Sequence, residues 1–198
     1  GRTPRVGARK RAHLFLWTLL LFPLKVRASA IQVRIDPQPK ATRVAGEFHT
    51  PVGPEVVWDV VSDYDHIHDF VHSMVASHST LDSLGVRHVE QTASGGVFVF
   101  HRRVNVDLEV DEERGHRIRF HDVLGKDFST YVGEWRIESD STGTTVRYAL
   151  GAEPRMALPR GLFRGMLRDA ASDLLNEVRR EIQRRAGAAQ IARDPGTH

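Results

Sequence analysis

The sequence predicts an α+β domain in which antiparallel strands lie against one long C-terminal helix. Two observations carry this. Between Ser73 and Leu150 apolar and polar residues alternate in short runs separated by turn signals, the period of strands joined as hairpins. From about Leu158 to Arg185 the period changes to three and four. Leu158, Leu162, Phe163, Met166, Leu167, Ala170, Leu174, Leu175, Val178 and Ile182 form one stripe, and Arg160, Arg164, Arg168, Asp169, Asp173, Glu177, Arg180 and Arg184 fill the other side. Pro159 stands where a helix opens and Gly187 where it ends. Such a helix is ~40 Å long at ~1.5 Å per residue, so it needs a broad apolar partner, which a sheet supplies.

Taken in order, the chain begins with a basic stretch, Arg2 to Arg11, then an apolar run, Leu14 to Leu24, then Ala28-Ser29-Ala30. Basic, apolar and small-residue regions in that order describe a secretory signal peptide over residues 1–30, cut after Ala30. This run of eleven residues, interrupted only by Thr18 and Pro23, is short of the ~20 that span a bilayer, although a retained run would anchor the chain. The expected location is periplasmic or secreted. Ile31 to Arg43 reads as a polar lead-in. Val44 to Thr50 is a strand, broken by Pro51, Gly53 and Pro54. Pro54 opens a helix ending near Ser62, and a short helix follows over Tyr64 to Val71. Six strands come next: Val75–Leu81, Val86–Thr92, Val97–Leu108, Arg117–Val123, Thr130–Ile137 and Thr144–Leu150. Gly85, Gly95-Gly96, Arg114-Gly115, Gly125-Lys126-Asp127 and Gly143 separate them. The domain spans 44–186, and 187–198 reads as a flexible tail.

Composition excludes some functions. The 198 residues are 40% hydrophobic and contain no Cys, so disulfides and thiol chemistry are out. The formal charge of +3 is misleading, because residues 1–30 hold seven basic residues and no acidic one. The remainder has 21 Lys+Arg against 25 Asp+Glu, about −4, and the apparent case for a nucleic-acid partner disappears.

Strand register indicates which residues point inward. Phe98, Phe100, Val104, Val106 and Leu108 share one face, and Arg102 falls among them. Either a bulge turns Arg102 outward or it sits in a cavity beside a polar ligand group or a carboxylate. Ile118, Phe120, Tyr131, Trp135, Ile137, Val146, Tyr148 and Leu150 take the inward register on later strands. Arg102, Tyr148 and, by register, Asp122 are the polar groups a cavity would contain, too few for a mechanism. Asp63, Asp65, His66, His68, Asp69 and His72 crowd into ten positions, with His68 and His72 spaced i,i+4. That spacing suits a metal on a helix, but H-E-x-x-H is absent and a solvated surface turn is the simpler account. The acidic run Asp107 to Glu113 reads as a solvated strand end. No G-x-S-x-G or phosphate loop is present.

Four segments carry a resemblance. They are PVGPEVVWDVVSDYDHIHDFV, with Trp58, Asp63, Tyr64 and Phe70; GKDFSTYVGEWRI, with Gly125, Phe128, Gly133 and Trp135; TTVRYALGAEP, with Thr144, Tyr148 and Pro154; and LPRGLF at the start of the last helix. In this order they resemble the START-like helix-grip superfamily (SRPBCC), in its polyketide cyclase/dehydrase and coenzyme Q-binding branch, over about Val44 to Arg185. The resemblance implies a bent antiparallel sheet of about seven strands wrapped around the long helix, with a hydrophobic cavity between them. It implies binding of a lipid, quinone or polyketide-like molecule, without naming the ligand. One departure stands out: Phe70 is followed by Val71 and His72 where the family usually has proline. The expected walls are Trp58, Phe98, Phe100, Phe120, Trp135, Tyr148, Phe163, Met166 and Leu167, with Arg102 as a polar contact, and Gly125–Phe128 or the turn before the long helix as gate. The expected partner is a hydrophobic small molecule or lipid, with transient membrane contact and no cofactor or metal. The alternative is a cyclase, aromatase or dehydrase acting on a polyketide-like substrate.

Overall fold

The computed structural model describes residues 30–37, 41–95 and 102–193. Outside them lie the expected leader up to residue 29, the turn at Gly96, the start of the strand carrying Phe98 and Phe100, and the last five residues. Eight antiparallel strands form one sheet: β1 (Gln32–Pro37), β2 (Thr42–Thr50), β3 (Met74–Leu81), β4 (Arg87–Gly95), β5 (Arg102–Glu113), β6 (Arg117–Asp122), β7 (Phe128–Asp140) and β8 (Gly143–Pro154). Their spatial order is β1-β2-β8-β7-β6-β5-β4-β3. After β2 the chain crosses to the far edge through helix α1 (Pro54–Val61), a 3₁₀ turn (Tyr64–His66) and the short helix α2 (Ile67–Phe70). It then returns strand by strand until β8 pairs with β2.

Helix α1 has Gly53 at its N-cap, proline in its first turn, and Glu55 placed to favour the helix dipole. It buries Val57, Trp58, Val60 and Val61. Helix α3 (Arg160–Arg193) packs on β1, β2 and α1. Gly46 sets how close it comes, since a Cβ there would stand 2.5 Å from Leu175 Cδ1. The core is continuous from Val44 and Phe48 on β2 through Val57 and Val60 on α1 to Leu175, Val178 and Ile182 on α3.

Three expectations are corrected. The lead-in is mostly strand β1, paired from Gln32↔Glu47 to Pro37↔Thr42. Val33 and Ile35 alternate with exposed Gln32 and Arg34 and pack against the core, a two-residue period too short to recognise in isolation. Helix α3 runs through Gly187 to Arg193, so 187–193 is not a loose tail. One glycine costs a helix ~1 kcal/mol, and Ala186, Ala188, Ala189 and Ala192 offset it. Ala171 is buried whereas Ala170 is exposed. The acidic strand end is exposed as expected, and its carboxylates pair at the surface: Asp111 accepts from Arg119, Glu113 from Arg117, and Glu112 from Tyr64.

Candidate functional site

The inner faces of β6, β7 and β8 build an aromatic wall. Register places Ile118 opposite Trp135 and Phe120 opposite Gly133. It also places Trp135 opposite Tyr148 and Tyr131 opposite Ala152. The rings form a chain. Phe128 and Tyr131 have centroids 4.8 Å apart. Tyr131 and Phe120 are 6.2 Å apart, Phe120 and Tyr148 6.5 Å, and Tyr148 and Trp135 4.6 Å. These separations are those of favourable tilted and offset aromatic pairs. Gly133 makes the wall possible. A Cβ at that position would lie 2.5 Å from Phe120 Cζ and 2.6 Å from the Ala149 carbonyl oxygen. The missing Cβ leaves room for the Phe120 ring beside the β7 backbone.

Two phenols stand on this wall. Burial pushes the Tyr131 hydroxyl up to about 12, with Asp122 adding to the shift. Burial pushes Tyr148 well above the ordinary tyrosine value, with Tyr131 adding to it. Both stay protonated at neutral pH and can donate a hydrogen bond. Among the described residues neither has a hydrogen-bond partner. Asp122 makes no hydrogen bond to either of them. Its carboxylate accepts from the backbone N–H groups of Asp107, Leu124 and Gly125, which corrects the expectation that it belongs to a cavity. Its role is to shape the β6–β7 turn, where Arg155 also donates to the Gly125 carbonyl at 2.6 Å. Val123 and Leu124 on that turn, Met156 before α3 and Leu162 on its first turn are exposed apolar residues.

The expected wall residues fall into four groups. Phe120, Trp135 and Tyr148 meet as a contact chain. Trp58 is buried on α1 and Leu167 on α3, both in the continuous core, with Phe163 packed half-buried against it. Met166 is half-buried and lies five residues before buried Ala171, hence about 140° around the helix from it. Phe98 and Phe100 fall outside the described residues, and for Arg102 the description stops at its place on β5. Two residues were missed as site members. Tyr131 is betrayed by its register two residues before Gly133. Arg164, assigned above to the charged side of the helix, lies seven residues before Ala171 and is half-buried with its Nε inaccessible.

The Asp/His cluster divides among separate tasks. Asp65 accepts from the Ser79 backbone N–H at 2.7 Å and its hydroxyl at 2.9 Å, capping edge strand β3. His72 contacts the buried Glu177 at 2.6 Å. Asp63 bonds His66 at 2.6 Å and accepts from Arg185 at 2.7 Å. Burial raises the Asp63 pKa, but its His66 and Arg185 hydrogen bonds outweigh this and hold it below the ordinary value. Glu181 is brought to about 2, first by Arg184, against the opposing effect of burial, and then by Arg185. These charges line a groove of about 310 Å³ between α2 and the C-terminal half of α3, and they pair with one another across it. The shortness of α2, four residues, is why His68 and His72 do not share a helix face. Among the described residues no three His, Asp or Glu side chains converge as for a metal.

A single antiparallel sheet with a long C-terminal helix across it, enclosing an aromatic inner face, defines a helix-grip domain of the START type. The chain belongs to the polyketide cyclase / dehydrase and lipid transport family, whose model matches residues 41–186. None of the curated proteins matches it in sequence. Among solved structures it is similar to a STAR-related lipid transfer protein from Xanthomonas axonopodis, with a TM-score of 0.64 and 18% identity over 79% of this chain and 95% of that one. It is similar to human STARD10, with a TM-score of 0.65 and 10% identity over 82% of this chain and 73% of the other. It is also similar to the ZhuI aromatase/cyclase from Streptomyces sp. R1128, with a TM-score of 0.61 and 18% identity over 80% and 98%. At such identities the likeness is one of fold. Strand β1 lies before the matched range, and the eighth strand exceeds the expected seven.

Proposed function

We propose that the chain binds a lipid, quinone or polyketide-like molecule between the inner face of β6–β8 and α3. The observation that carries this is the continuous wall of Phe128, Tyr131, Phe120, Tyr148 and Trp135 with two protonated phenols that have no partner among the described residues. An apolar ligand laid on it loses contact with water, worth about 25 cal/mol per Å² of apolar surface. The phenol hydroxyls then orient its polar group. The exposed Val123, Leu124, Met156 and Leu162 give the entrance an apolar rim suited to brief contact with a membrane. The order of charges and apolar residues in 1–30 supports a location in the periplasm or the exterior, reached through a leader cut after Ala30. The test is native mass spectrometry of the full chain purified from its own host, combined with tryptophan fluorescence during lipid and quinone titration. A co-purifying hydrophobe is expected, along with a fluorescence change that Trp135→Phe abolishes. A bare protein mass with no fluorescence response to any lipid or quinone would overturn the reading.

A further inference from the structure

Helix α3 carries a charge on the line where it buries its apolar residues. Ala171, Leu175 and Ile182 are 4%, 0% and 0% exposed. Arg164 precedes them by seven, eleven and eighteen residues, which at about 100° per residue places it within about 20° of all three. Its Nε is buried and has no hydrogen-bond partner among the described residues. A buried donor without an acceptor costs about 1–3 kcal/mol, and more when charged. Natural folds tolerate few such atoms, and a missing partner is one recurring reason for them.

The aromatic wall adds two hydroxyl donors. The Tyr131 and Tyr148 hydroxyls are held in the O–H form by burial. The carboxylate that acts on Tyr131, Asp122, spends its oxygens on three backbone N–H groups. The inward line of α3 therefore offers a guanidinium, and the aromatic wall offers two phenols. A guanidinium presents its N–H groups as a fork that matches two carboxylate oxygens.

We infer that the ligand is an apolar monocarboxylate, and that Arg164 receives its carboxylate while the aromatic wall covers its apolar body. The inference rests on the binding reading above, and one experiment separates the two. N-phenyl-1-naphthylamine, a neutral fluorophore that brightens in apolar cavities, is bound to the full chain. It is then displaced by oleate or by methyl oleate, which differ only in the charge of the end group. Oleate is expected to displace the fluorophore at a concentration at least tenfold lower. Arg164→Met, similar in length and apolar, is expected to bind the fluorophore unchanged and to lose that preference. Arg164→Lys keeps the charge without the fork and is expected to retain part of it. Equal displacement by acid and ester in the parent chain, or a preference that survives Arg164→Met, overturns the role of Arg164 and leaves the cavity standing. No binding of the fluorophore, the acid or the ester overturns the binding reading and this inference with it.

Discussion

Gly133 is the position where one added methyl group tests the site most directly. Its missing Cβ leaves room for the Phe120 ring, and the added atom in Gly133→Ala would meet Phe120 Cζ at 2.5 Å, Phe120 Cε2 at 2.8 Å and the Ala149 oxygen at 2.6 Å. Real carbon contacts do not come so close, so the ring and the β7–β8 ladder must both move. Phe120 is 8% exposed and is fixed between Tyr131 and Tyr148, so it has nowhere to swing without breaking the chain of rings. Overpacking of this kind costs about 1–3 kcal/mol. For a chain of this size each kcal/mol lowers Tm by about 2–4 °C, so a fall on the order of 5–10 °C is expected. The assay is a double-mutant cycle in thermal melts, comparing Gly133→Ala, Phe120→Leu and the pair. If the ring is what the methyl group strikes, the pair should be less damaged than the sum of the singles by roughly 1 kcal/mol. Additive effects, or a Tm for Gly133→Ala within 1 °C of the parent, would refute the close approach and with it the geometry of the wall.

Three further outcomes follow from the same structure. Tyr148→Phe removes a hydroxyl without a partner among the described residues, so Tm should hold or rise slightly, while affinity for ligands with a polar end should drop; a large loss of Tm would reveal a hydrogen bond that the structure lacks. Glu181 has a folded pKa near 2 against an ordinary 4.5, a depressed carboxylate, so its contribution is full above about pH 4.5 and disappears as pH falls toward 2. Urea midpoints for the parent and Glu181→Gln should therefore converge across that interval and differ most near neutrality, and parallel curves would contradict the clamp to Arg184 and Arg185. Gly187→Ala should raise stability by about 0.5–1 kcal/mol, because the position is mid-helix and an added Cβ meets nothing within 4 Å; a decrease in the melt would indicate that the helix ends there.

The order of the elements was legible in the sequence because periodicity and turn chemistry are local. Alternation in RIRFHD and TTVRYAL marks strands whichever partner they later find, and the three–four stripe marks the helix. Phe120, Trp135 and Tyr148 were identified as inward from register alone, since a strand with one buried face has only two choices. What escaped depended on who packs against whom. Strand β1 is defined by its pairing with β2 and by the helix above it, and its own six residues carry too weak a pattern to show this. Arg164 looks like any charged residue on a charged face until Ala171, Leu175 and Ile182 fix which side of α3 is buried. Asp122 has the inward register, yet the turn that follows it claims its oxygens. Sequence determined which residues were apolar and how they repeat. Tertiary structure decided which side of each element is enclosed, because burial is a property of two surfaces in contact, and only there do a missing methyl group at Gly133 and an unanswered donor at Arg164 acquire meaning.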